Sequence, residues 1–129
     1  MNYWKIIGNM TLNEYQKKAM TTCMASSENF SYMFLNLVGE VGELASKVAK
    51  AIRKEKALID MNNLITERAD AMSDEEMADL RREAGDCLWQ LSGLCTVMGW
   101  ELEEVGQENL DKLSSRQQRH VIDGNGDNR

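Results

Sequence analysis

Along most of this chain apolar residues recur at steps of three and four with polar ones between them, the period that gathers side chains on one face of an α-helix. Thr11-Leu-Asn-Glu14 is a capping box, a Thr followed three residues later by a Glu, and it predicts a helix opening there and running to about Ala25. A second helix is predicted from near Glu28 to Lys54. Residues 55–72 carry apolar positions, but Asn62-Asn63 breaks the period, so this segment reads as a connector with a short helix. Ser73-Asp-Glu-Glu76 is a second capping box and starts a third helix, which ends at Gly99 as a left-handed cap. Glu101 to about Arg119 forms a fourth, and residues 121–129 are a polar tail. No window alternates as a strand does. The expected fold is an all-α bundle of four to five helices in a single domain, with 55–75 as a connector or insertion.

Composition supports this picture. The 129 residues include no proline, and helix formers dominate. A net charge of −6 argues against a nucleic-acid polymer as partner, since that work needs a dense basic face. It leaves room for a nucleotide whose phosphates are held through a cation on carboxylates. Cys23, Cys87 and Cys95 are odd in number and form no CxxC pair, as expected of buried thiols in a reducing, cytoplasmic chain. No signal-peptide pattern and no membrane-length apolar run is recognised. His120 is the only histidine, which removes histidine-based zinc sites and triads. Tyr15, Phe30, Tyr32, Trp89 and Trp100 read as core.

The informative detail is a device used twice. On the second helix Glu40 and Glu43 flank Gly42, and on the third Glu83 and Asp86 flank Gly85. At about 100° per residue, each acid pair lies beside an apolar arc, with the glycine on that arc's far border. Glycine inside a helix costs about 1 kcal/mol against alanine, so two of them ask for a reason. An antiparallel pair of these helices, with Gly42 and Gly85 near the contact, would bring the acid pairs together. Four carboxylates in one place repel unless a cation sits among them, and all-oxygen ligands suit a hard ion such as Mg²⁺. The competing reading is a solvated acidic face on each helix. Lys47, Lys50 and Lys54 continue the stripe of the second helix, either towards phosphates or as ordinary partners of Glu40 and Glu43.

Glu40-x-x-Glu43 followed by Glu83-x-x-Asp86 resembles the two acidic motifs of MazG-like nucleotide pyrophosphohydrolases, in the all-α nucleoside triphosphate pyrophosphatase superfamily. Thr11-Leu-Asn-Glu-Tyr-Gln16 looks like the family's first-helix opening, GEVGELASKVAKAIRK like its first acidic helix and EAGDCLWQLSGL like its second. Asn109-Leu-Asp-Lys-Leu-Ser-Ser-Arg116 and Gly124-Asn-Gly-Asp-Asn-Arg129 resemble the closing motif of one subgroup. Two departures stand out: a long separation between Glu43 and Glu83, and His120 where the subgroup has glycine.

The resemblance implies Mg²⁺-dependent hydrolysis of nucleoside or deoxynucleoside triphosphates to monophosphate and pyrophosphate, with Mn²⁺ as a substitute ion. It implies Glu40, Glu43, Glu83 and Asp86 as metal ligands, with Glu40 or Glu43 orienting the attacking water. Lys47, Asn109, Lys112 and Arg116 are implied to contact substrate, and Asp127, Asn128 and Arg129 to fold over it. A homodimer or homotetramer, with sites near subunit interfaces, is implied as well. The alternatives are a base-selective relative (a dUTPase, dCTP pyrophosphatase or phosphoribosyl-ATP pyrophosphatase) and a non-catalytic helical interaction module.

Overall fold

The computed structural model describes residues 8–67 and 70–123. The element order is α1 (Leu12–Met20), a 3₁₀ turn (Ala25–Ser27), α2 (Phe30–Arg53), strands β1 (Leu58–Asp60) and β2 (Asn63–Ile65), α3 (Asp74–Val97) and α4 (Leu102–Gln118). The tail motif at residues 124–129, including Asp127, Asn128 and Arg129, lies outside the described residues.

Both capping boxes form. Thr11 and Ser73 accept from the amides of Glu14 and Glu76, whose side chains reach back to the cap amides. α1 closes earlier than expected, at Met20, and Asn29 caps the start of α2. Gly99 takes φ +74 just beyond α3, the left-handed conformation foreseen for it.

The connector differs from its expectation. It holds no short helix among the described residues; β1 and β2 pair antiparallel, with Asp60 opposite Asn63. Met61 and Asn62 between them both have positive φ, 46° and 68°, as a two-residue hairpin turn matched to strand twist requires. Among the described residues the fold is therefore four α-helices with one small hairpin.

α2 and α3 form the main packing unit, and their pairings fix its direction. Met33 meets Gly93, Asn36 bonds Gln90 at 2.7 Å, and Lys47 bonds Asp79 at 3.0 Å. Positions rise on one helix as they fall on the other, so the pair is antiparallel. The same register sets Glu40 opposite Asp86 and Glu43 opposite Glu83. α1 packs on α3, anchored by Trp89, whose indole N–H donates to the Ala19 carbonyl and the Thr22 hydroxyl. α4 leans on α1 through Asn13 and Gln16, whose side chains bond the first amides of α4.

The glycines expected at the contact are not there. A Cβ on Gly42 or Gly85 would meet nothing within 4 Å. The close approach is at Gly93, where a Cβ would overlap the Sδ of Met33, a side chain with no exposure and a hydrogen bond from Gln90. Gly93→Val should therefore lower stability by about 2 kcal/mol through overpacking. Gly85→Ala should raise it by about 1 kcal/mol, because only helix propensity changes. Denaturant midpoints at fixed protein concentration check both; equal effects at the two positions would contradict the packing described.

Candidate metal centre

The residues of α2 that turn towards α3 are Met33, Asn36, Glu40, Leu44, Lys47 and Ala51, all buried or half-buried. Steps of three and four carry this stripe straight along the seam. On α3 the facing stripe is Asp79, Glu83, Cys87 and Gln90. Glu40 and Glu83 are thus half-buried seam residues, whereas Glu43 and Asp86 are exposed.

One carboxylate oxygen from each of Glu40, Glu83 and Asp86 lies within 4.8 Å of the others. Burial, and then the charges of Asp86, Glu83 and Glu43, push the Glu40 carboxyl above its ordinary pKa, against a hydrogen bond from Asn36 that pulls it down. The field reaches further. The Cys87 thiol is raised by burial and by Glu40, Asp86 and Glu83, and the Tyr15 hydroxyl by burial and Asp86. Glu43 is exposed, on the next turn of α2 after Glu40, and outside the trio of closely spaced oxygens.

Lys47 stands at one end of the trio. Its ammonium lies 2.8 Å from Glu83 Oε1 and 3.0 Å from Asp79 Oδ2, and these two carboxylates hold its pKa up. Asp79 also takes Arg82 at 2.8 Å, and Lys47 and Arg82 together hold its carboxyl below the usual range. At the other end the Asn36 amide donates to Gln90, which is 2% exposed. A basic pair and an amide pair therefore bracket the acids along the seam. Asn36, Gln90, Asp79 and Tyr15 were not singled out as site residues from the sequence. Gln90 falls on the acid side of the α3 wheel and Asn36 one turn before Glu40, so the angular pattern did carry a signal for both.

Asn109 and Lys112 are exposed on α4, whereas Arg116 is 4% exposed. Because α4 leans on α1, these three stand on a different helix pair from the acids. The expected aromatic core is also incomplete: Phe30 is 52% exposed, stacked on Phe34 with centroids 5.5 Å apart, and Trp100 is 48% exposed.

The donor set is chemically selective. Three crowded carboxylates with no nitrogen among them suit a hard divalent ion that tolerates oxygen ligands and keeps part of its water shell. Neutralising the trio also removes the repulsion that, after burial, raises Glu40.

Comparison with known proteins points the same way. The family model of the MazG nucleotide pyrophosphohydrolase domain matches residues 28–121. A relative, the Gene 37 protein of Mycobacterium phage L5, is 41% identical over 104 residues, covering 81% of this chain and 80% of its own. No solved structure gives a significant match. Among the described residues no helix is long and apolar enough to cross a membrane.

Proposed function

We propose that this chain, which belongs to the MazG nucleotide pyrophosphohydrolase family, hydrolyses nucleoside or deoxynucleoside triphosphates to monophosphate and pyrophosphate with Mg²⁺. The observation that carries the reading is the convergence of Glu40, Glu83 and Asp86 on one point of the α2–α3 seam. Glu40, Glu83 and Asp86 would hold the ion, with Glu43 as a fourth carboxylate from the next turn. A divalent cation there neutralises charge on phosphate oxygens and makes water more acidic, and Mn²⁺ can stand in for Mg²⁺.

The chain's own groups do the rest. Glu40 or Glu43 orients the attacking water and takes its proton. Lys47, held beside the trio by Glu83 and Asp79, would present its ammonium to the phosphates. Asn109, Lys112 and Arg116 are proposed as nucleotide contacts on the family resemblance alone, since α4 stands apart from the α2–α3 seam and Arg116 is buried. The free thiols of Cys23, Cys87 and Cys95 accord with work in a reducing cytoplasm, on nucleotides and not on nucleic-acid polymers or membranes. A base-selective activity has the same carboxylates and differs only in its base pocket.

The test is a panel of ribo- and deoxyribonucleoside triphosphates with Mg²⁺, scoring pyrophosphate against orthophosphate. The expected product is pyrophosphate, because the bond broken lies between the α and β phosphates. Orthophosphate alone from every substrate would overturn the assignment.

A further inference from the structure

The seam does not end at Lys47. Beyond it α2, the connector and the start of α3 enclose a cleft of about 250 Å³, lined by Lys47, Lys50, Lys54 and Lys56 against Glu76 and Asp79. Lys56 comes from the connector and is tied to Glu76 at 2.7 Å, and Lys47 is tied to Asp79 and Glu83. Lys50 and Lys54 are exposed and take no ion-pair partner among the described residues. The cleft is therefore locally cationic in a chain of net charge −6. A groove that concentrates charge opposite to the rest of the surface raises the local concentration of the matching ion. With a rise of 1.5 Å per residue, Lys50 lies about 10 Å along α2 from Glu43.

We infer that this cleft is an inorganic-diphosphate subsite: the β and γ phosphates of the substrate run along α2 towards the hairpin, and Lys50 and Lys54 hold them before and after cleavage. The inference rests on the pyrophosphohydrolase reading for its place in the reaction, and it fixes the direction of the substrate. The polyphosphate tail points to the connector, so the nucleoside lies towards Asn36, Gln90 and Tyr15. The exposed ammonium groups of Lys50 and Lys54 suit an anion that arrives and departs at each turnover. The cleft walls supply Ala51, Met72 and Leu80, with no acid facing Lys50 or Lys54 other than Glu76 and Asp79, each already held by another cation.

Titration calorimetry of the whole protein with inorganic pyrophosphate in Mg²⁺ tests this without turnover. Wild type should bind pyrophosphate, and the Lys50→Met/Lys54→Met double variant should bind it about tenfold more weakly. Nucleoside monophosphate binding should be unchanged, and Lys50→Arg/Lys54→Arg should restore pyrophosphate binding. Undiminished pyrophosphate binding by the methionine variant, an equal loss for monophosphate, or no pyrophosphate binding by wild type would each overturn the subsite. Absence of triphosphate hydrolysis by wild type would instead overturn the reaction, so the two failures are distinguishable.

Discussion

Glu40→Gln is expected to lower turnover at saturating Mg²⁺ by roughly a hundredfold to a thousandfold, the scale on which charge stabilisation at a reacting centre is lost. The metal-free protein should be as stable as wild type or slightly more so. Glu40 is the carboxyl pushed upward by burial and by Asp86, Glu83 and Glu43, so the fold disfavours its ionised form. A carboxyl with a raised folded pKa stabilises the fold at low pH and loses that contribution as pH rises through the folded value. Glutamine mimics the neutral form at every pH. The variant should therefore lead wild type at neutral pH, and the lead should close on acidification through the raised Glu40 pKa. Mg²⁺ that binds only the folded state should raise the wild-type thermal midpoint and raise the variant's less. Wild-type turnover together with an undiminished Mg²⁺ shift would remove Glu40 from the centre.

The acids were legible because helical angle is a property of the sequence. Once α2 and α3 were recognised, the matched layout needed only an antiparallel pairing to bring Glu40, Glu83 and Asp86 together, and the pairing is antiparallel; Glu43, exposed, stays outside the trio. The glycines were misread for the complementary reason. A helical glycine marks a missing side chain, but which of several sits at the contact depends on the rotation of the two helices. Gly93 answers to Met33, while Gly42 and Gly85 face open space. The hairpin was hidden by its turn. Met61-Asn62 adopts positive φ without the glycine that usually announces it, and strands of three residues are too short to show alternation. Lys47, Lys50 and Lys54 were readable as a stripe, but not the division that matters: Lys47 is ion-paired, as is Lys56 of the connector, whereas Lys50 and Lys54 take no ion-pair partner among the described residues.

Val38→Glu with Val41→Glu is expected to convert an oligomer into monomers, and the reason lies in which face of α2 is buried. The seam face carries Glu40 and Lys47, whereas Phe34, Val38 and Val41 point outward, at 46%, 61% and 52% exposure. On α3, Met77, Leu88 and Leu91 are likewise exposed. Because the helices are antiparallel and share one angular layout, the two apolar stripes fall on the same side of the pair, away from the acids. An amphipathic helix that turns its polar stripe inward leaves its apolar one to be covered by something else. The cheapest cover is a second copy, related by a two-fold axis, which turns two helices into four. Each buried valine contributes roughly 1.5–3 kcal/mol, and a dimer buries four of these, so their loss is comparable to the stability of ordinary association, and four charges buried in their place add to it. Light scattering should give a multiple of the chain mass for wild type and a single chain mass for the variant, with activity falling alongside. Wild type at a single chain mass, at concentrations where it is active, would show that the apolar face belongs to another partner.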